Sequence, residues 1–231
     1  MADIHANFAA FQAVLADMAT YSPDMILIAG DILGYYPDAD EVIQQIRMLK
    51  TPVHAIAGNH DMPVINSDIP EELPYKHILK DNLNHLSREN LLYLRKLRPI
   101  MQFEIKGVKF GMYHGTPDDP LNGRLYPDNI PDMSWFHRSG AEIIVLGHTH
   151  YPYVWHGLNN TIIINPGSVG QPRDGNPEPS WALLNVGEKI ITLKRTNYDR
   201  DKYARRLSSI KWDERSIRAL YKTKSGPSNL W

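Results

Sequence analysis

Cysteine is absent from the 231 residues. Disulfides and thiolate metal sites are therefore excluded, and any metal must be held by His, Asp, Asn or Glu. No run of roughly eighteen apolar residues occurs, and no charged leader is followed by an apolar stretch, so neither a membrane span nor a secretion signal is indicated. A cytoplasmic location is expected by default. An excess of one charge is also missing, since 25 basic and 26 acidic residues leave a net charge of −1, which gives no reason to expect a nucleic-acid partner. The balance is uneven along the chain: Lys194 to Lys224 holds 11 basic and 4 acidic residues, so this tail carries +7 and the remainder −8. It reads as the solvated face of closing helices, with help in attracting an anionic substrate as a sharper possibility. There is no internal repeat, low-complexity block or long linker, which suits a single domain over residues 1–231 ending in a basic helical segment at about 198–224.

Helix and strand patterns alternate. Phe8, Phe11, Leu15 and Met18 fall at helical spacing behind Asn7, a good N-cap, and predict an amphipathic helix over 8–20. "DMILIAGD" predicts a short buried strand, Asp40 a cap for a second helix through about Lys50, and "PVHAIAGNHD" another buried strand. This β-α-β rhythm implies a parallel sheet. Ser87 is a cap for "RENLLYLRKL", and "MQFEIKGVKFGMYHG" predicts a hairpin turning at Lys106 and Gly107. "AEIIVLGHTH" supplies a further buried strand. Hairpins follow, with turns near Asn159 and Asn160 and near Gly187 and Glu188, before charged helices close the chain. Two packed sheets with helices outside are expected.

Each buried run stops on a polar residue: Asp31 after "ILIAG", Asn59 and His60 after "HAIAG", His114 after "FGMY", His148 and His150 in "IIVLGHTH". Ligand crevices of open α/β sheets lie outside the carboxyl ends of the strands, so these residues should converge although they are far apart in sequence. "MADIHAN" supplies the same kind of ending, Asp3 and His5, with almost no strand before it. A lone His after an apolar run is more often a hydrogen-bonded rim residue than a ligand, and "GD" or "GNHD" alone could be turns. Together, two Asp, one Asn and four His at strand ends make up about the ligand set that two adjacent cations need, with one carboxylate shared.

"DIH", "GD", "GNHD", "HG" and "GHTH", in that order over residues 3–168, resemble the calcineurin-like metallophosphoesterase superfamily. The resemblance implies an α/β fold, a four-layer α-β-β-α sandwich of two mixed sheets with the first strand apparently missing here, and a two-metal site at the strand ends. Carried over motif by motif, it implies that Asp3, His5 and His150 bind one metal and Asn59, His114 and His148 the second. Asp31 would bridge them, and His60 would stand beside the scissile phosphate. Two divalent ions roughly 3.5–4 Å apart can hold a bridging hydroxide and clamp phosphate oxygens for in-line attack. Asn59 binds through a neutral oxygen and so limits the negative charge facing a phosphate. His60 can reach the leaving-group oxygen, with Asp61 orienting it or serving only the turn. The donor set suits manganese, iron or zinc. His54, His77, His85, His137 and His156 lie outside the motifs and are assigned no catalytic role.

Departures narrow the expected substrate. The superfamily's Ser/Thr protein phosphatases carry "GDxxDRG", whose Arg grips phosphate, whereas this chain has "GDILGYYPD". It is similar instead to small bacterial and archaeal members with "DIHAN", "GDILGYYPD" and "NPGSVGQPRDG", which implies a nucleotide or dinucleoside polyphosphate, or a simple phosphodiester, over a phosphoprotein. Arg173 could supply the missing cation or be a solvent-facing loop arginine, and Tyr35 and Tyr36 could stack on a nucleobase or simply pack. A relative, the retromer scaffold subunit, uses this fold for protein binding with a compromised site; the complete ligand set here favours an enzyme. Because that family has an apolar strand ahead of the Asp, the native protein is expected to begin several residues upstream, with Met1 not its true start.

Overall fold

The computed structural model describes residues 1–128, 139–157 and 161–223. The hairpin turn expected at Asn159 and Asn160, His137 and the end of the basic tail at Lys224 lie outside these residues. Asn7 caps α1 (Phe8–Ala19) by accepting a hydrogen bond from the Ala10 N–H, and Ala10, Phe11, Val14 and Met18 form the helix's buried stripe. β1 (Ile26–Ala29), α2 (Ala39–Met48) and β2 (Val53–Ile56) follow as the expected β-α-β unit, with Ile26 opposite Val53 in a parallel pair. Three short helices come next: α3 (Asp61–Ile65), α4 (Lys76–His85) and α5 (Arg88–Leu94), the last capped by Ser87.

β3 (Ile100–Ile105) and β4 (Val108–Tyr113) form the predicted hairpin. Lys106 and Gly107 have φ of 51° and 81°, the left-handed pair that a two-residue turn with strand-like twist requires. With β5 (Ile143–Val145), β6 (Pro152–His156) and β7 (Ile162–Pro166) they build a mixed sheet in the order β3-β4-β5-β7-β6. β4, β5 and β7 are parallel and the two outer strands antiparallel. β8 (Ser180–Asn185) and β9 (Ile190–Arg195) pair as a ribbon, followed by α6 (Arg200–Ser209) and α7 (Glu214–Ala219).

The two-residue period of the strands sorts side chains into layers. Leu27 and Ala29 join Phe110, Met112, Val145 and Ile164 in a core between the sheets, whereas Ile26 and Ile28 face the helices. Ile144, Leu146 and Ile163 face the opposite way and pack with Leu125 and Tyr153. Among the described residues no helix is long and apolar enough to cross a membrane.

Residues 1–3 lie beside the end of β1 without forming a strand. Met1 O accepts from the Ala29 N–H at 3.0 Å and the Asp3 N–H donates to Gly30 O at 3.1 Å, while on the other side Ala2 O accepts from Val169 at 3.1 Å. Next to Met1, between β1 and β8, is a cavity of about 620 Å³ lined by Ile26, Leu27, Phe110, Val145, Ile164 and Trp181.

Two expectations are corrected. Asp40 does not cap α2: the N-cap is Asp38, and Asp40 instead accepts from the Ser87 N–H and the Asn90 amide, tying α2 to α5. The basic tail is more than a solvated face. Buried Asp38 accepts from Tyr203 Oη at 2.8 Å and Arg206 Nη2 at 2.6 Å, Trp212 Nε1 donates to Tyr35 O, and Tyr36 Oη donates to Ser216 O. The closing helices thus hold the "LGYYPD" loop from behind. Asp38→Ala would leave the Tyr203 hydroxyl buried without this acceptor, while the pair with Arg206, whose side chain is 49% exposed, contributes little. The expected loss is about 2 kcal/mol, read as a fall of about 4–8 °C in Tm by thermal denaturation.

Candidate metal centre

Strand ends bring together seven side chains from five separate stretches of the sequence. The backbone is bent hard to do so: φ is 53° at Asp3, 51° at His5, 50° at Asp31, 66° at His148 and 63° at His150. Left-handed backbone costs an L residue about 1–2 kcal/mol, so these positions persist only because their surroundings over-determine them. Asp61 accepts from the N–H groups of Ile32 at 3.2 Å, Leu33 at 2.8 Å and Gly58 at 2.8 Å, pinning two strand-end loops to each other. That assigns Asp61 to the loop and not to His60. A side chain at Gly58 would collide with the Asp31 carboxylate, which explains the glycine in "GNHD". Asn165 donates to Gly147 O and Thr149 Oγ1, and Ser168 donates to Asp3 O at 2.7 Å. The sequence reading missed Asn165, although "IIINPGS" carries the same signal as the other motifs, an apolar strand stopping on a polar residue.

The donor atoms fall into two overlapping groups. Asp3, His5 and His150 form one, with His150 Nε2 3.2 Å from Asp3 Oδ1 and 3.1 Å from His5 Nε2. Asp31, His114 and His148 form the other, and Asn59 Oδ1 lies 3.1 Å from His114 Nε2. Asp31 Oδ2 is 3.2 Å from His114 Nε2 and 3.7 Å from His5 Nε2, so it stands between the groups. His5, His114 and His150 each turn Nδ1 to a backbone carbonyl, of Leu33, Ala29 and Gln171, at 3.0, 2.8 and 2.6 Å. For His5 and His150 that fixes the proton on Nδ1 of a neutral ring and points the Nε2 lone pair inward, whereas His114 turns its Nε2 to Asp31. His60 differs. It belongs to a third cluster with His5 and Asp31, but its Nδ1 is buried with no partner among the described residues, and its Nε2 is 3.9 Å from Asp31 Oδ2.

Two observations fit this set to divalent cations. Asp3 Oδ1 is buried with no hydrogen-bond partner among the described residues. His5 and His150 meet Nε2 to Nε2, two lone pairs that repel unless a cation or proton lies between them. Nitrogen and oxygen donors of this kind suit manganese, iron or zinc.

Burial holds His5 and His150 well below the ordinary imidazole range, pushes His60 down to about 4, and with His114 nearby pushes His148 down to about 3. These rings are neutral and able to ligate. Burial also works against a charge on His114, but Asp31, by charge and hydrogen bond, and Asp3 outweigh it and push it up to about 10. Burial likewise opposes a charge on Asp31, yet His114 and His60 hold it well below the usual carboxylate range.

The centre floors a pocket of about 350 Å³. Tyr35 and Arg173 stand on one wall, with Arg173 Nη2 donating to Tyr35 Oη at 2.9 Å, so Arg173 is not the solvent-facing loop residue it could have been. Tyr36 is fully buried and bonded to Ser216, which removes it as a stacking platform. Tyr75, stacked on His60 at 4.1 Å, and Arg124, Tyr126 and Tyr151, which also line the pocket, were not singled out from the sequence; all but Tyr151, next to "GHTH", come from stretches without a motif.

If Asp31 serves both metal positions, Asp31→Asn should lower metal content at both, whereas His150→Ala should mainly affect the position it shares with Asp3 and His5. Elemental analysis and manganese titration of the purified variants check this; wild-type protein taking up fewer than about one ion per chain would contradict a two-metal centre.

Comparison with known proteins shows the family. The profile of the calcineurin-like phosphoesterase superfamily domain matches residues 1–189. An uncharacterized protein of Methanocaldococcus jannaschii is 31% identical over 226 residues, 86% of each chain. Phosphodiesterase YfcE of Escherichia coli is 26% identical over 201 residues, covering 83% of this chain and 89% of its own. The crystal structure of a metallophosphoesterase from Sphaerobacter thermophilus superposes with a TM-score of 0.81 at 27% identity, over 97% of both chains. With its α/β fold and a cluster of His and Asp side chains that could bind metal, the chain belongs to the calcineurin-like phosphoesterase superfamily.

Proposed function

We propose that this protein is a dinuclear-metal phosphohydrolase acting on a small phosphorylated molecule, with a nucleotide or dinucleoside polyphosphate favoured. The observation that carries this reading is the convergence of seven nitrogen and oxygen donors, four of which, Asp31, Asn59, His148 and His150, line a pocket that Arg173 also lines. Two divalent ions at such a floor lower the pKa of water and polarise phosphate oxygens. Asp3, His5 and His150 would hold one ion, Asn59, His114 and His148 the other, and Asp31 both.

The remaining residues bind and orient. His60 lines the pocket between Tyr35, at 4.8 Å, and Tyr75, at 4.1 Å, so its ring is held in one plane. From there it donates a hydrogen bond or proton to the leaving-group oxygen. Arg173 presents a guanidinium to a substrate phosphate, and its Nε is buried without a partner among the described residues. The side chain of Tyr35, against His5 at 4.3 Å, shapes the same wall. A pocket of about 350 Å³ favours a small molecule over a phosphoprotein segment, and the filled donor positions favour an enzyme over a protein-binding scaffold.

The direct test is hydrolysis of bis(p-nitrophenyl) phosphate with added manganese, followed by a panel of nucleotides and dinucleoside polyphosphates. No turnover on any of them would contradict the enzyme reading. His60→Ala should leave metal content nearly unchanged and cut turnover by roughly 10²–10⁴. The loss should be smaller for p-nitrophenyl than for alkyl leaving groups; equal losses would assign His60 to positioning alone. Arg173→Ala should raise the Michaelis constant for diadenosine tetraphosphate by roughly tenfold or more and affect small diesters less. Unchanged constants for both would place Arg173 outside substrate binding.

A further inference from the structure

Arg124 lines the same pocket as Arg173, and its Nε donates a hydrogen bond to His148 Nε2 at 3.2 Å. A neutral imidazole has one lone pair and one N–H. Here Nε2 supplies the lone pair to Arg124. If a metal takes Nε2, it displaces Arg124; if a metal takes Nδ1, the ring proton moves to Nε2, which can then no longer accept. Ligation of His148 and its bond to Arg124 are therefore mutually exclusive, whichever nitrogen ligates.

The backbone around Arg124 is held by its neighbours, while its side chain is exposed. Leu125 is buried and its carbonyl accepts from Tyr153 Oη at 3.0 Å, and Gly123 N–H donates to Asp119 O at 3.0 Å. The guanidinium itself is exposed at the pocket mouth beside Tyr126 and Tyr151.

Resting on the metal-dependent reading above, we propose that Arg124 is a substrate-binding residue gated by metal: it is held on His148 in the metal-free protein and released on metal loading to bind a phosphate of the substrate. Arg124 and Arg173, which line one pocket, would then both bind the substrate, which selects a molecule with more than one anionic group. Metal binding precedes productive substrate binding, and each should strengthen the other.

The test uses metal-stripped full-length protein, titrated first with manganese and then, when loaded, with inorganic phosphate and ADP by calorimetry. Arg124→Ala should tighten manganese binding by roughly three- to tenfold, because no arginine competes for His148, and weaken phosphate and ADP binding by roughly tenfold. Because removing a positive charge could also tighten metal binding through space, the comparison is repeated in His148→Ala. There Arg124→Ala should no longer change manganese affinity. An unchanged manganese affinity, an unchanged anion affinity, or the same tightening in the His148→Ala background overturns the proposal. Wild-type protein that binds no manganese overturns the underlying reading as well, and that outcome is visible before any variant is compared. Arg124 is exposed, so its replacement leaves the fold intact, as thermal melts of the variants will register.

Discussion

Two carboxylates, Asp3 and Asp31, are buried side by side at the ends of strands, and burying charge without compensation is among the costliest things a protein can do. Much of the local structure follows from that constraint. Four imidazoles surround the pair, three of them oriented by backbone carbonyls so that Nε2 faces inward. His114, pushed up to about 10, answers the negative charge, and the backbone N–H groups of His60 and His148 donate to the carboxylates at 2.8 and 3.1 Å. One oxygen of Asp3 is still left without a partner among the described residues. A cluster so short of positive charge could receive cations.

Five ligand-type residues have left-handed backbone, and the molecule holds them there with its tertiary structure. The groups that do so come from far away in sequence. Ser168 bonds the carbonyl of Asp3, Asn165 steadies the "GHTH" turn, and Asp61 joins the "GD" and "GNHD" loops. The basic tail extends this support outward: through Tyr203, Arg206, Trp212 and Ser216 it grips residues 35–38, the loop that carries Tyr35 to the pocket wall. The tail therefore serves a packing role, through Tyr203, Trp212 and Ser216 more than through its charge.

The polarity of the pocket follows the same economy. Its floor is anionic and donor-rich, suited to cations, and its walls carry two guanidiniums and four tyrosines, suited to phosphates and planar groups. Neither guanidinium waits in isolation, since Arg173 is bonded to Tyr35 and Gln171 and Arg124 to His148. Exchanging a protein acceptor for a phosphate costs less than ordering a solvated side chain from scratch.

The fold brings Asp3, His5, Asp31, His114, His148 and His150 into clusters that could hold metal. The polar endings of apolar runs, with the order of the motifs, marked candidate residues in the sequence, these among them, because a buried strand that stops on Asp, Asn or His states the chemistry at its tip locally. Turns and caps were legible for the same reason: Asn7, Ser87 and the Lys106–Gly107 pair act on their own neighbours. Asp40 was misread because Asp38 and Asp40 both suit a helix start, and only the approach of α5 and the closing helices decides which carboxylate bonds where. Arg124, Tyr75 and Asn82 lie in stretches with no motif; their place at the pocket or beneath its loop depends on how distant segments pack, which no local pattern records. The sequence by itself determined which residues can carry the chemistry. Tertiary structure alone decided which lone pairs face each other and which arginines face the pocket, because burial, strain and charge are balanced across the whole fold.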